Sequence, residues 1–228
     1  LVDALLGGQG EVPASPILAP LPEHDPTLAP WPVDRERARR LLREAGFEDR
    51  DHDGTLDRDG KPLAVTLLVQ AGTALRRNAA VVVQQDLARI GVRVEVVPIE
   101  NSSFYRTVAK RGMDAWIGFW RTSSRVDMTE MLHQSACTAE GNNFGCWSHP
   151  DADRLASAAR EELDDAARTR GWREWEKIFH AEQPYTILFR SHQLNGVSTR
   201  VSGTASISSN DILNGVERWS LDDTGAAR

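Results

Sequence analysis

Residues 62–99, PLAVTLLVQAGTALRRNAAVVVQQDLARIGVRVEVVPI, decide the fold because two strand patterns flank one helix pattern. Pro62–Gln70 and Val92–Ile99 are rich in aliphatic and β-branched residues, which is typical of strands. Between them, a helix ending at Gly91 places its apolar residues on one face, namely Ala79, Val82, Val83, Leu87 and Ile90. A strand, helix, strand unit predicts neighbouring parallel strands.

The same alternation continues on both sides of this unit. Upstream, Asp34 can cap a helix that ends at Gly46. Downstream, the oxygens of residues 101–103 can cap a helix that carries Phe104 and Val108, and Met113–Trp120 follows as a buried strand. The sequence therefore predicts an α/β fold, with a mixed, mostly parallel sheet flanked by helices.

The second half is predicted to be more helical. Pro150 is suited to the first turn of a helix whose buried face would hold Leu155, Ala159 and Leu163. In the next helix, apolar spacing indicates that the aromatic residues are packing residues, namely Trp172, Trp175 and Phe179. Short strands are predicted beyond it, at Tyr185–Arg190, Gly196–Val201 and Val216–Leu221.

Residues 11–32, here called the strap, hold seven of the eleven prolines of the chain. Proline fixes φ and removes a hydrogen-bond donor, so the strap is predicted to be extended and loop-like.

Composition excludes several classes of protein. The 228 residues are 40% apolar with a net charge of −6, and they contain neither a long uninterrupted apolar run nor a basic run. A membrane-spanning helix and a nucleic-acid partner are therefore not expected. The chain begins at Leu1 without a signal peptide, so we interpret it as a fragment or a processed piece.

No catalytic motif is present, because the sequence lacks GxSxG, HExxH and GxxxxGK patterns, and its six histidines are scattered. We therefore predict that the protein is not an enzyme and needs no cofactor. The weakest alternative is a hydrolase that would use Asp127 and His133.

A stronger alternative is an extracellular calcium-binding structural module. The loop from residue 49 to residue 59 resembles the first part of an EF-hand, with carboxylates at Asp49, Asp51, Asp53 and Asp57. Gly60 occupies the position of the bidentate glutamate, and a strand follows instead of a helix. A solvated turn with aspartates bonded to its own amides explains the same pattern.

A polar loop follows the strand that ends at Trp120, and it begins with Arg121, Thr122 and Ser123. In open α/β sheets, ligands bind beyond the carboxyl ends of strands. We therefore predict ligand contacts here, with Trp120 offering an apolar face and Arg121 or Arg125 a bidentate anion clamp.

Cys137 and Cys146 lie outside any CxxC pattern, which argues against zinc and redox catalysis. Their spacing permits a disulfide, although two free thiols would give the same count. We predict the disulfide, which favours an oxidising compartment.

Taken together, six segments resemble, in order, the extracytoplasmic solute-binding proteins, family 5, of ABC importers, the group that binds dipeptides, oligopeptides and nickel. These segments are LVDALLGG (1–8), DRERARRLLREAGF (34–47), DHDGTLDRDGKPL (51–63), QQDLARIGV (84–92), GMDAWIGFW (112–120) and NNFGCWSHPDADRLASAA (142–159). The cysteine pair resembles that of the dipeptide-binding branch, which supports the disulfide.

The resemblance implies a type-II periplasmic-binding-protein lobe and a receptor for a peptide or other small polar solute. Residues 1–195 would be the C-terminal, ligand-binding lobe, residues 196–228 would lead back toward a missing N-terminal lobe, and the tail 222–228 would be frayed. The implied protein is monomeric and extracytoplasmic, in the periplasm or lipid-anchored, and its partners are the solute and the permease.

The resemblance also implies further site residues, and this chain differs from the family pattern at one position. Asn142, Asn143 and Phe144 would line the same cleft as Trp120. Peptide-binding members carry an aspartate for the ligand's amino group where this chain has Thr122 or Ser123. Because a hydroxyl cannot neutralise a buried ammonium group, the departure argues against a free peptide amine and leaves a sugar, a modified peptide or another polar solute as alternatives.

Overall fold

The computed structural model describes residues 1–120, 125–206 and 212–221. Its helices are α1 (Val2–Leu6), α2 (Arg35–Glu44), α3 (Ala74–Ala88), α4 (Asn101–Ala109), α5 (Thr129–Leu132), α6 (Pro150–Glu161) and α7 (Asp165–Glu182). Its strands are β1 (Gly10–Glu11), β2 (Asp57–Arg58), β3 (Lys61–Pro62), β4 (Ala64–Gln70), β5 (Arg93–Ile99), β6 (Ala115–Ile117), β7 (Arg190–Ser191), β8 (Val201–Ser202) and β9 (Ser220–Leu221). The predicted α/β fold is confirmed.

Strands β5, β4 and β6 form a parallel sheet with β4 in the middle. Leu68 of β4 lies opposite Val97 of β5 and Trp116 of β6. Since the chain adds β5 on one side of β4 and β6 on the other, the order of strands reverses beside β4. A reversal of this kind leaves a crevice beyond the carboxyl ends of the strands. The loops after β4 and β6 meet at this edge.

Helices cover both faces of the sheet, as the sequence predicts. Leu67 and Val69 are buried in the layer that includes residues of α3. Leu68, between them in sequence, faces the opposite way and packs against Phe104 and Val108 of α4. Both α4 residues are buried, at 0% and 1% exposure.

Helices α6 and α7 form a second core. Trp172, Trp175 and Phe179 are at most 1% exposed and lie within it, so their predicted packing role is confirmed. The prediction for Leu163 was wrong, because α6 ends at Glu161 and the leucine beyond it is 91% exposed. The buried face of α6 consists of small residues, Ala152, Ala156 and Ala159.

The strap contains neither helix nor strand beyond Glu11, as its prolines predict. It lies along α7, where the fully buried carboxylate of Glu176 binds it. This carboxylate accepts hydrogen bonds from the hydroxyl of Ser15 and from the N–H of Asp25, and it lies 2.7 Å from Nδ1 of His24. Because proline supplies no N–H for a sheet ladder, contacts with side chains of α7 hold this proline-rich segment in place.

Several predicted boundaries were wrong. The N-cap of α4 is Glu100, whose carboxylate accepts from the N–H groups of Ser102 and Ser103, and not an oxygen of residues 101–103. The strand predicted over residues 113–120 is limited to β6. Beyond residue 184, the predicted strands are reduced to the two-residue strands β7, β8 and β9. Among the described residues, each of these short strands pairs with another two-residue strand. The tail 222–228 lies outside the described residues.

Candidate functional site

Trp120 lies in the loop after β6, at the carboxyl edge of the sheet. Its half-buried ring lies edge-on to the ring of Tyr185, with 4.7 Å between ring centres, and edge-on to that of Trp116 at 6.1 Å. Tyr185 follows α7 and so comes from the second half of the chain. The first predicted site residue is therefore packed where the loop after β6 meets the segment after α7.

Phe144 reaches the same place from another loop. Its ring centre lies 5.6 Å from that of Trp116 and 5.8 Å from that of Tyr105, on which it stacks. The N–H of the next residue, Gly145, donates a hydrogen bond of 2.8 Å to the hydroxyl of Tyr185. The loops of Trp120 and Phe144 thus lie side by side. We call the five rings the aromatic cluster: Tyr105, Trp116, Trp120, Phe144 and Tyr185.

The two asparagines beside Phe144 have different surroundings. Asn142 is exposed. Asn143 is fully buried, and its amide nitrogen donates to the carbonyls of His133 and Trp147 at 3.1 and 2.8 Å. Its amide oxygen accepts from the N–H of Trp147 at 3.1 Å. Asn143 therefore holds the loop in shape, while Asn142 presents its side chain to solvent.

A disulfide joins Cys137 to Cys146, as predicted, and closes the loop that carries both asparagines and Phe144. Inside this loop, the N–H of Asn143 donates to the carbonyl of Ala136 at 3.2 Å. The covalent bond and the buried amide together fix the loop against the aromatic cluster.

Burial raises the pKa of the Tyr185 phenol above its usual value, and the hydrogen bond from Gly145 and the charge of Arg111 offset only part of that effect. The phenol is consequently neutral near pH 7 and keeps its O–H as a hydrogen-bond donor. With flat apolar rings around it, the cluster can bind a solute by contact and by hydrogen bonding to neutral groups.

The remaining predicted contacts, Arg121, Thr122 and Ser123, lie outside the described residues. A different arginine, Arg76 in the first turn of α3, has its guanidinium carbon 4.1 Å from the ring centre of Phe119, the residue before Trp120. Sequence reasoning missed Arg76 and Tyr185. Only the pairing of β4 with β6 and the path of the chain after α7 bring them near Trp120.

Only three of the four carboxylates predicted for the candidate calcium loop lie close together. Asp49, Asp51 and Asp53 place one oxygen each within 4.8 Å of one another, but Asp57 is not in this group and pairs in β2. Each of the three grouped carboxylates accepts from the loop's own amides, on Gly54, Asp53 and Thr55. The interpretation as a solvated turn explains these bonds.

The two residues of the alternative hydrolase have different partners. Asp127 accepts from the N–H of Thr129 at 2.9 Å, whereas Nδ1 of His133 lies 2.8 Å from the hydroxyl of Ser135. Nε2 of His133 lies 4.0 Å from Asp153. Asp127 is therefore not the partner that orients this imidazole.

Comparisons with known proteins agree with this architecture. The profile of "Bacterial extracellular solute-binding proteins, family 5 Middle" matches residues 1–142. The oligopeptide-binding protein AppA of Bacillus subtilis is 30% identical over 97% of this chain and 41% of its own length. Di/tripeptide-binding protein 2 of Pseudomonas aeruginosa is 26% identical over 83% of this chain and 35% of its own. This chain therefore spans less than half the length of these relatives.

Structural comparison gives the same result. The structure of AppA in complex with a nonapeptide superposes with a TM-score of 0.79 and 26% identity, covering 96% of this chain and 44% of AppA.

In the described part of the chain, no helix combines the length and the apolar character needed to span a bilayer. The comparisons give no support to a calcium-binding module. The chain belongs to family 5 of the bacterial extracellular solute-binding proteins.

Proposed function

We propose that this chain is the ligand-binding part of the receptor of an ABC importer, which captures a peptide or another small polar solute outside the cytoplasmic membrane. The observation that carries the proposal is the aromatic cluster at the carboxyl edge of the parallel sheet. Its members come from α4, from β6 and the loop after it, from the loop closed by the disulfide and from the segment after α7. Such an edge is where open α/β folds bind ligands.

In the proposed mechanism, Trp120, Phe144 and exposed Asn142 contact the solute, and Asn143 holds the loop that carries Asn142 and Phe144. Arg121, Thr122 and Ser123 belong to the same proposed contact surface through their place in the sequence. Residues 1–195 form the binding lobe, and residues 196–228 lead toward a second lobe. A solute that bridges both lobes favours the closed form by its higher affinity for that form.

The closed form would then dock on the permease and release the solute. We propose that the receptor is monomeric, requires no cofactor, and resides in the periplasm or on a lipid anchor at the outer face of the cytoplasmic membrane. The names of AppA and of the di/tripeptide-binding protein say that those proteins bind peptides. Peptides are therefore the first solutes to test. Because this chain has hydroxyl groups where peptide-binding members carry an aspartate, sugars and peptides with a blocked amino group are tested as well.

The proposal is tested on the full natural polypeptide. Native mass spectrometry identifies solutes that co-purify, and tryptophan fluorescence then follows titration with those solutes and with peptide pools. Trp120→Ala should weaken binding by about tenfold or more, because aromatic contacts dominate small interfaces. Trp31→Ala is the matched control, since Trp31 is 53% exposed and stacks on His180 of α7, outside the aromatic cluster. Equal binding by both variants, or no binding of any probe, would refute the proposal.

A further inference from the structure

We propose that the outer surface of α2, together with the end of the strap, binds an anionic phospholipid membrane. The inference goes beyond the proposed function, because it concerns a contact with the membrane and not with the solute. Three observations carry it: the direction in which α2 faces, the exposed apolar side chains beside it, and its excess of arginines. We call this surface the α2 face, and its residues are Trp31, Val33, Arg37, Arg40, Leu41 and Arg43.

One side of α2 is turned toward α3. Arg35 pairs with Asp86 of α3 at 2.9 Å, and Arg39, one turn later, donates to the carbonyl of Arg89 at the end of α3. Leu42 packs in the core layer that includes residues of α3. Because residues three or four apart share one face of a helix, the opposite side of α2 is turned to solvent. No residue of α2 is fully buried.

Trp31 is held at the surface beside α2. Its ring stacks on that of His180 of α7, with 5.0 Å between ring centres, and its indole N–H donates to the carbonyl of His180 at 3.0 Å. The guanidinium carbon of Arg37 lies 6.0 Å from the centre of the indole ring. Although these contacts fix the side chain, Trp31 is 53% exposed, Val33 is 84% exposed and Leu41 is 52% exposed. Single exposed apolar residues are common, whereas these three are grouped around one arginine.

Arginines outnumber carboxylates in and around α2. Residues 34–44 contain five arginines and three carboxylates, in a chain whose net charge is −6. In the ranges that the structure describes, the guanidinium groups of Arg37 and Arg43 form no ion pair. The three carboxylates, by contrast, have partners inside this segment: Asp34 accepts from the N–H of Arg37, Glu36 pairs with Arg39, and Glu44 pairs with Arg40. The α2 face therefore offers positive charge to an external anion.

Arginine and exposed apolar side chains together match the layers of a bilayer surface. Guanidinium groups bind the phosphates of lipids, and tryptophan and leucine enter the apolar layer just beneath those phosphates. A helix that lies flat on a bilayer uses both kinds of side chain at once. The partner is at hand because the proposed receptor works at the outer face of the cytoplasmic membrane, and in this respect the inference rests on the proposed function.

The test uses the full natural polypeptide, produced without lipid modification, and vesicles without any solute. One set of vesicles is phosphatidylcholine, and the other is an equal mixture of phosphatidylcholine and phosphatidylglycerol, which is anionic. We expect binding to the anionic vesicles, measured by sedimentation at low salt, to exceed binding to the neutral vesicles by about tenfold or more. The difference should shrink at high salt, because salt screens contacts between exposed charges.

Charge variants locate the contact. Replacing Arg37 and Arg43 together by glutamine should lower binding to the anionic vesicles by about tenfold or more, since each arginine near such a surface strengthens binding by about fivefold. The matched control replaces Arg154 of α6 and Arg170 of α7 by glutamine. Both control residues are exposed, and the control changes the net charge of the chain by the same amount. Its binding to the vesicles should stay close to that of the natural polypeptide.

An apolar variant tests the second part of the contact. Leu41→Ser should weaken binding to the anionic vesicles by about threefold or more, because less apolar surface enters the membrane. Leu163→Ser is the matched control, since Leu163 is 91% exposed in the turn between α6 and α7. Thermal melts of all variants show whether they remain folded, which is expected at exposed positions.

Three results would overturn the proposal: equal binding to both kinds of vesicle, no binding to either, or variants of the α2 face that bind as well as their controls. Binding only to vesicles that contain the permease would assign the α2 face to a protein partner and would also overturn it. Solute titrations keep the two proposals apart. The variants of the α2 face should bind solutes normally because it lies outside the aromatic cluster, so loss of vesicle binding leaves the receptor function standing.

Discussion

The ring of Trp120 lies edge-on against the ring of Tyr185, with 4.7 Å between their centres, and the hydroxyl of Tyr185 accepts a hydrogen bond from Gly145. One tyrosine thus joins the loop after the parallel sheet to the loop closed by the disulfide. In the chain, α5 lies between the two loops, whereas Tyr185 follows α7. Their relative position therefore depends on Tyr185.

Tyr185→Phe removes the acceptor for the N–H of Gly145 and should lower the free energy of unfolding by about 1 kcal/mol. Because burial raises the pKa of Tyr185 in the folded state, the unfolded state loses this proton first as pH rises. Stability should therefore decline as pH rises above about 10, and less steeply in Tyr185→Phe. Urea unfolding at several alkaline pH values measures both effects, and identical slopes for the two proteins would contradict this assignment.

Asn142 and Asn143 are neighbours with opposite expected roles. Asn143→Ala should destabilise the chain by about 2–3 kcal/mol, because Asn143 is fully buried and its three hydrogen bonds to the backbone of His133 and Trp147 are lost. Asn142→Ala, at an exposed position, should leave the unfolding midpoint nearly unchanged and weaken solute binding. Thermal melts and solute titrations of both variants separate the two roles. The assignment fails if Asn142→Ala is the more destabilised variant.

Glu176 should matter for stability more than any surface carboxylate of α7. Glu176→Ala leaves the donors of Ser15, His24 and Asp25 without their acceptor and should cost about 3–5 kcal/mol. The control is Glu174→Ala, which removes an exposed partner of Lys177 and should change little. Proteolysis of the strap, followed by mass spectrometry, would show whether the strap is released in Glu176→Ala. A strap that is equally protected in both variants would contradict the role of Glu176 in holding the strap on α7.

Reduction of the disulfide should destabilise the loop that presents Phe144. Replacing both Cys137 and Cys146 by serine should cost about 2–3 kcal/mol, since the unfolded chain regains the freedom of a short closed loop. A reducing agent should lower the melting temperature of the natural chain and leave that of the double variant unchanged. A shift of the melting temperature of the same size in both proteins would show that the reducing agent does not act through this disulfide.

Calcium should have little effect on stability. The aspartates at 49, 51 and 53 accept from the amides of their own loop, and Gly60 stands where a bidentate ligand would be required. Thermal melts with millimolar-range calcium, and then with a chelator, should give the same midpoint. A large upward shift that Asp51→Asn removes would instead establish a cation site.

Local sequence patterns predicted the helices, strands and loops whose structure is set within a short stretch of chain. Alternating and helical periodicity gave β4, β5 and α3 to within two residues at the strand ends, and the spacing of Trp172, Trp175 and Phe179 identified the buried face of α7. The prolines of the strap predicted a segment outside the sheets. These features depend on side-chain period and backbone restriction, which are properties of a short stretch of chain.

Other features depended on contacts between distant residues. Leu163 fits a helical face but lies beyond the end of α6, and Asn143 has the chemistry of a ligand contact yet is used inside its own loop. The sequence by itself determined that this chain alternates strands and helices and carries a polar loop after Trp120. Only the tertiary structure decided that Tyr185, Phe144 and Arg76 lie at that edge, because residues far apart in sequence become neighbours through strand order and helix packing.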